Sequence, residues 1–393
     1  MNNLNTVDVV PEKISLAGLA LFIYIAALPL SIAKAGTASI YRYVILVVIA
    51  IFLLDYFIHK NRYYIYKRKV APFTLYFFYT GLSVMWSVTF SGATNIFFGM
   101  LLIYCVYLFA TSRVYSQKEL TLVNIAWILA SVVIIYLTIF NRVESGYERY
   151  TASFMGGTED KNQIAGYYFM PLLICLNGAS KNKKLYLPSC ILLVGMIYSI
   201  MLAGSRGGLL SISLTIIVYY FFYSEANRKN KIVSKVLSAC LICVVLLLIL
   251  YFIMPFIAET SIERFSLHAI LDDGGSGRLE NWAKLLNIYS KSTLRIIFGF
   301  GPNGTANYLD VGYAHNQIIQ VLFDGGIIGL VLFGWFVVSS FKYAYKYNNR
   351  LAAFAFVGMF VLSMTITAYT AYKVYWNIII MMSILHNDKS LLS

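Results

Sequence analysis

Apolar runs of membrane-spanning length recur along this chain. They are about 17–22 residues long, which is the length that an α-helix needs to cross the hydrocarbon core of a bilayer. Of the 393 residues, 60% are hydrophobic and only 12% are charged, whereas soluble domains carry roughly 25% charged residues. The sequence therefore predicts an all-α, polytopic transmembrane helical bundle, with residues 1–393 forming a single integral membrane domain, and excludes a soluble globular enzyme.

The runs divide the chain into about twelve spans with mostly short connections. Their predicted bounds are 14–32, 41–58, 71–90, 95–112, 121–140, 163–179, 186–204, 209–223, 236–257, 316–341, 351–370 and 374–387. The connection 258–315, between spans nine and ten, is much longer and contains an amphipathic segment and a glycine-rich turn. Long loops in compact proteins are usually functional or disordered, and we expect this one to be ordered, partly helical and functional.

Basic residues are distributed unevenly between alternate connections. The segment 59–69 contains five Lys or Arg residues, and the positive-inside rule places such a segment in the cytoplasm. Alternation from it puts 19 of the 31 Lys and Arg residues, and both termini, on the cytoplasmic side. The chain has a net charge of +14. The distribution of its basic residues indicates membrane orientation rather than nucleic-acid binding. The connections 141–162 and 258–315 then lie on the outer face.

Three basic residues stand where outer connections meet spans. They are Arg206 in "LAGSRGGLL", Arg278 in "GGSGRLENW" and His315 in "YAHNQIIQ". Small neighbours allow a bulky ligand to approach the backbone closely. Arginine grips phosphate oxygens with two parallel hydrogen bonds, and histidine can accept a proton near neutral pH. These residues suggest a site for a lipid-linked diphosphate with a general base, and the open alternatives are a span-ending arginine and a helix-capping histidine.

Other chemistries find little support in the sequence. It contains no HExxH, DxD, GxSxG or Walker motif, so we expect no metal site and no cofactor. Two acids, Asp55 and Asp324, lie within or beside predicted spans. Acids at that depth are functional candidates by default, and either one could pair with a basic group.

The order of these segments resembles the signature of the O-antigen ligase and polysaccharide polymerase superfamily. The resemblance rests on "GSRGG", "SGRLENW", "FGFGPN" and "AHNQIIQVLFDGGIIGL", preceded by "RYTASFMGGTEDKNQIAGYY" at 149–168. That last segment usually has an aspartate or proline before an asparagine, and here the residues are Asp160-Lys161-Asn162. The resemblance covers roughly residues 145–340.

The resemblance implies a metal-independent, inverting glycosyl transfer on the periplasmic or extracellular face of the bacterial inner membrane. The donor would be a glycan carried on undecaprenyl diphosphate, and no nucleotide cofactor would be needed. Arg206 and Arg278 would bind the diphosphate, and His315 would orient or deprotonate the acceptor hydroxyl. Further contacts to the donor or glycan are expected from Ser205, Gly207, Asn162 and Asn316.

Three functions remain open at this point. The first is a polymerase that joins repeat units of O-antigen, capsule or exopolysaccharide. Its expected partners are chain-length regulator and flippase proteins. The second is a ligase that moves the finished glycan onto lipid A–core. The third is a carrier resembling bicarbonate transporters, against which stand the long outer loop and the lack of an inverted repeat with paired broken helices.

Overall fold

The computed structural model describes residues 13–222 except 37 and 145–148, residues 251 and 255, and residues 277–386 except 368 and 370–372. Within these ranges the protein is a bundle of α-helices with a few very short strands. Apart from residues 251 and 255, the predicted ninth span (236–257) lies outside the described residues, as does the first part of the long connection, 258–276.

The described helices follow the apolar runs. They are α1 (Leu16–Ala26), α2 (Ile40–Ile58), α3 (Lys67–Ser83), α4 (Phe90–Thr111), α5 (Gln117–Phe140), α6 (Phe169–Lys181), α7 (Tyr186–Leu202), α8 (Arg206–Phe222), α9 (Arg278–Ser290), α10 (Thr293–Phe298), α11 (Gln317–Lys346), α12 (Arg350–Ser363) and α13 (Lys373–Ser383). Single 3₁₀ turns occupy Leu28–Ser31, Lys60–Arg62, Val84–Trp86, Ile164–Tyr168, Lys183–Leu185 and Gly304–Asn307.

The strands form three small sheets in the connections. They are β1 (Lys34–Ala35), β2 (Ala38–Ser39), β3 (Val114–Tyr115), β4 (Arg142–Glu144), β5 (Tyr150–Phe154), β6 (Gly157–Thr158) and β7 (Leu385–His386). Strands β1 and β2 pair antiparallel, β4, β5 and β6 form an antiparallel sheet in that order, and β3 pairs with β7 in parallel. Each sheet therefore ties together connections and leaves the bundle itself helical.

The all-α class is confirmed, but the count of about twelve spans is not. Among the described residues, five helical segments are long and apolar enough to cross a membrane: Ile40–Ile58, Phe90–Thr111, Gln117–Phe140, Lys183–Leu202 and Gln317–Lys346. Three shorter apolar helices are Leu16–Ala26, Arg206–Phe222 and Arg350–Ser363. Some apolar runs are not one continuous helix. The run predicted as 14–32, for example, changes from α1 to a 3₁₀ turn that contains Pro29.

The connections gather at two ends of the bundle. At one end, which we call the Asp55 end, the connection after α2 meets the one after α4, because the Tyr64 amide donates to the Ser112 carbonyl at 2.6 Å. The β3–β7 pair joins the start of α5 to the segment after α13 at the same place. The start of α1 lies there too, since the Ser15 amide donates to Glu119 Oε1 at 3.0 Å.

The opposite end, which we call the His315 end, collects the connections 31–39, 84–89, 141–168, 203–206, 299–316 and 364–369. Ser31 and Tyr167 share a hydrogen bond of 2.7 Å between their hydroxyl groups. Ser87 Oγ donates to the Pro302 carbonyl at 3.0 Å. Arg206, Arg278 and His315 all belong to this end, so the grouping is the one that alternating spans require.

Helix α11 is broken near its start, although the sequence predicts one continuous span at 316–341. Gly326 has φ 64° and ψ −166°, a conformation outside the helical region. A β-carbon at Gly326 would overlap the Ile297 carbonyl. The turn after α10 therefore packs directly against the break, and the pair Gly325-Gly326 inside the apolar run is the sequence signal for it.

The break is stabilised by hydrogen bonds from other parts of the chain. The Phe300 amide donates to the Phe323 carbonyl at 2.9 Å, and the Gly301 amide donates to the Asp324 carbonyl at 2.8 Å. The Tyr79 hydroxyl donates to the Gly325 carbonyl at 2.7 Å. Carbonyls freed inside a bilayer must find such partners, since no water replaces them. The "FGFGPN" turn thus acts as a cap for a broken membrane helix.

Candidate functional site

Three helix N-termini at the His315 end carry the three predicted basic residues. Arg206 is the first residue of α8, Arg278 is the first residue of α9, and His315 lies two residues before α11. A helix N-terminus carries a partial positive charge, which favours acids and anions there rather than basic side chains. The two arginines therefore add to the partial charges of their helices and create a region suited to an anionic ligand, and His315 lies at a third N-terminus of the same end.

The turn before α8 fixes the position of Arg206. Gly204 has φ +56°, a left-handed conformation that glycine adopts most easily. Ser205 is buried, and its Oγ accepts a hydrogen bond from the Gly208 amide at 3.2 Å, which caps the helix. A β-carbon at Gly207 would lie 2.6 Å from Thr365 Oγ1. The small residues around Arg206 therefore allow close packing against protein neighbours.

Arg149 belongs to this site, and the sequence analysis missed it. Its side chain is only 6% exposed. Its Nε donates to the Ala203 carbonyl at 3.0 Å, and its Nη2 donates to Asn162 Oδ1 at 3.2 Å. Arg149 thus joins the segment 149–162 to the turn that carries Arg206. Its place at the start of the "RYTASF" segment was the available signal, but the carbonyl that it contacts is 54 positions away.

His315 sits in a strained turn that Asn316 closes. Its φ is +50°, which is uncommon for a residue with a β-carbon. Asn316 caps α11, because its Oδ1 accepts from the amides of Ile318 and Ile319 at 3.0 and 3.1 Å. Asn316 Nδ2 also donates to the Met364 carbonyl at 3.4 Å. Since Gly207 packs against Thr365, the segment 364–365 connects the Arg206 and His315 turns.

Two charged neighbours influence the pKa of the His315 imidazole. Burial lowers the pKa of His315 below its ordinary value of 6.5, the charge of Arg278 lowers it further, and the charge of Asp160 raises it. Arg278 and Asp160 must therefore both lie near His315. Because the net effect favours the neutral imidazole at pH 7, His315 is able to accept a proton there.

Asp324 has neutral donors around it, in place of the basic partner considered from the sequence. Its Oδ1 accepts from the Gly304 amide at 3.0 Å, and its Oδ2 accepts from Gln320 Nε2 at 2.9 Å and from the Tyr369 hydroxyl. Asp55, by contrast, has the expected basic partner, because Arg113 donates directly to it. Asp324 therefore stabilises the "PNG" turn and the start of α11 instead of holding a cation.

The structure brings the predicted residues to one end and gives several of them bonds within the protein. Ser205 and Asn316 cap helices, Gly207 packs against Thr365, and Asn162 accepts from Arg149. Their contacts with a substrate remain a prediction. Within the described ranges, no group of three or more His, Cys, Asp and Glu residues has the arrangement of a metal site.

Part of the chain matches a known family model. None of the curated proteins matches the chain. Residues 191–334 match the family model described as O-antigen ligase. The matched segment contains Arg206, Arg278 and His315 together with the turn that caps the broken helix. The match supports the resemblance of this chain to the O-antigen ligase and polysaccharide polymerase superfamily.

Proposed function

We propose that this protein is a membrane glycosyltransferase that takes a glycan from undecaprenyl diphosphate and joins it to an acceptor hydroxyl. It would act on the outer face of the bacterial inner membrane, with both termini in the cytoplasm. The observation that carries the proposal is the presence of Arg206, Arg278 and His315 at three helix N-termini of the same end of the bundle. A lipid-linked diphosphate places strong negative charge at that depth of a membrane.

In the proposed reaction, the acceptor oxygen attacks the anomeric carbon of the donor from the face opposite the diphosphate. The glycosidic bond forms as the bond from the anomeric carbon to the phosphate oxygen breaks, so the configuration inverts. Charge then grows on the leaving diphosphate, where Arg206 and Arg278 stabilise it most in the transition state. His315 accepts the proton of the acceptor hydroxyl, which its lowered pKa allows at pH 7. No step requires a metal ion or a nucleotide.

The acceptor distinguishes the two enzymatic candidates. We favour a polymerase, in which the acceptor is the glycan of a second lipid-linked repeat unit, with flippase and chain-length regulator proteins as partners. The alternative is a ligase that transfers the glycan to lipid A–core, and the family model that matches residues 191–334 is described as O-antigen ligase. Both reactions require the donor diphosphate to be bound in the same way, so the residues described above suit either reaction.

To test this, purified protein in lipid nanodiscs is incubated with an undecaprenyl-diphosphate oligosaccharide in buffer containing EDTA. The reaction is run both with and without lipid A–core. Ladders of longer glycan on the donor lipid support the polymerase, and transfer that occurs only onto the core supports the ligase. The anomeric configuration of the new linkage, measured by NMR, tests inversion. Donor binding without any product would contradict both enzymatic functions, and loss of activity in EDTA would contradict the metal-independent mechanism.

A further inference from the structure

The peptide group of Ala314 is held at both of its polar atoms by side chains from two different helices. Its amide donates to Gln320 Oε1 at 2.9 Å, and its carbonyl accepts from Trp282 Nε1 at 2.7 Å. Ala314 itself is 1% exposed. A buried amide and carbonyl that lose such partners cost free energy, so these two bonds fix the backbone next to His315.

Trp282 links this point to Arg278. Both residues belong to α9 and are four positions apart, so they project from the same face of that helix. The indole bond to Ala314 therefore holds the start of α9 against the turn that carries His315. The electrostatic influence of Arg278 on His315 agrees with this closeness.

Gln320 links the same point to the interior of the bundle. Its Nε2 donates to Asp324 Oδ2 at 2.9 Å and to Thr305 Oγ1 at 2.8 Å. Because the side chain is fully buried and bonded at both ends, its oxygen has one fixed direction. The strained φ of His315 requires such support, since a left-handed residue with a side chain persists only where its surroundings determine it.

We infer that Trp282 and Gln320 are positioning residues that set the spacing between Arg278 and His315 through the peptide group of Ala314. Gln320 is fully buried, and Trp282 acts through its bond to the Ala314 carbonyl. Trp282 determines where α9 places its first residue, and Gln320 determines the direction of the turn before α11. The inferred spacing is a property of the folded chain. Only the predicted effect on activity rests on the proposed function.

The test compares Trp282→Phe, which keeps most of the ring but removes the N–H donor, with Trp86→Phe. The matched control is suitable because Trp86 Nε1 has no hydrogen-bond partner within the described part of the chain, and Trp86 also lies at the His315 end. Diethyl pyrocarbonate modifies neutral imidazole, so its rate of reaction at His315 across pH, followed by mass spectrometry of the peptide, reports the pKa of that residue without any substrate.

Arg278 on α9 and Asp160 after β6 are the charged groups that influence His315. Release of α9 moves Arg278 away, so the pKa of His315 rises towards 6.5 in Trp282→Phe and stays at the wild-type value in Trp86→Phe. We also expect kcat to fall about tenfold in Trp282→Phe, because small misplacements of catalytic groups slow a reaction, and to remain unchanged in Trp86→Phe. Gln320→Leu should lower kcat at least as much.

The two readouts separate the inference from the proposed function. Equal pKa values of His315 in Trp282→Phe, Trp86→Phe and wild type, in proteins with wild-type unfolding temperatures, would overturn the inference. A raised pKa only in Trp282→Phe, in a protein whose wild type transfers no glycan, would support the inference and contradict the proposed function. If Trp282→Phe fails to fold, the same comparison is made with Gln320→Leu, which removes the oxygen acceptor of the Ala314 amide and adds no charge near His315.

Discussion

The ion pair at one end of the bundle contrasts with the three basic residues predicted for the site at the other end. At the Asp55 end, Asp55 and Arg113 are both almost fully buried and bonded to each other, and the Tyr63 hydroxyl donates to Asp55 at 2.8 Å. At the His315 end, Arg206, Arg278 and His315 remain partly exposed at helix N-termini. A charge that is buried and paired serves the fold. We propose that the two arginines, which lie at helix N-termini against the preference of the helix dipole, face a ligand.

The backbone differs between the ends in the same sense. Of the described residues with positive φ, only Asn348 lies at the Asp55 end. The others lie at or beside the His315 end: Met155, Asn303, His315, Gly36, Gly156, Gly204, Gly277, Gly299, Gly301, Gly312 and Gly326. Left-handed backbone is costly for most residues and concentrates at functional sites. Left-handed turns, most of them at glycine, are therefore concentrated at the end that carries the predicted site residues.

The largest effect is expected from breaking the ion pair at the Asp55 end. Arg113→Ala leaves a buried Asp55 carboxylate without its cation and should lower the free energy of unfolding by about 3–5 kcal/mol. Turnover per folded molecule should not change. Unfolding in detergent and the transfer assay measure the two quantities, and the double variant Asp55→Asn/Arg113→Gln should recover part of the stability. Lost turnover in folded Arg113→Ala would contradict the division between the ends.

At the His315 end we expect the reverse pattern. Arg206→Ala and Arg278→Ala should each lower kcat/KM of transfer at least about 100-fold, because each removes a donor that stabilises the leaving diphosphate. The unfolding temperature should stay near that of wild type. Lys284→Ala, which removes an exposed cation from α9 itself, is the matched control and should keep full activity. Retained activity in either arginine variant would remove that arginine from the site.

Arg149 tests the connection between fold and site at the same end. Arg149→Met loses the bonds to Ala203 and Asn162 and should cost about 1.5–3 kcal/mol of stability, the range for hydrogen bonds to charged groups. Because the turn before α8 then loosens, transfer should also decline. Arg142→Met removes an exposed arginine from the neighbouring strand β4 and should do neither. An Arg149→Met protein with wild-type stability would show that the turn before α8 keeps its conformation without the bonds from Arg149.

The smallest effect concerns Glu159, which lies beside Asp160. Burial raises the pKa of Glu159 from 4.5 to about 7, so the folded protein binds more protons than the unfolded chain between these values. Stability from this group is therefore fully present below about pH 4.5 and is lost as the pH rises through about 7. Glu159→Gln should remove that decline, whereas Glu144→Gln, at an exposed position, should retain it. Unfolding temperatures at pH 5 and pH 8 provide the measurement.

Sequence patterns predicted the parts of the structure that depend on nearby residues. The bounds of α2 and α5 follow apolar runs closely, because a helix in a bilayer satisfies its backbone within its own segment. The grouping of Arg206, Arg278 and His315 followed from alternation of the spans. These inferences needed only hydropathy and short motifs.

The same sequence patterns could not predict contacts between distant segments. Arg149 and Trp282 each act on a backbone carbonyl, and every residue presents the same carbonyl group, so no residue type marks the partner. The break at Gly326 was also missed, since a pair of glycines within an apolar run is compatible with a continuous helix. Only the fit between that break and the turn at 299–301 explains why both contain glycine.

The capped break has a consequence for exchanging parts between related proteins. The amides of Phe300 and Gly301 belong to the connection 258–315, yet they complete the hydrogen bonding of a membrane helix. A chimera that replaced this connection up to the start of α11 would leave the carbonyls of Phe323 and Asp324 without their donors. Recombination that is to keep the fold must therefore transfer the turn and the first half of α11 as one unit, joined beyond Gly326.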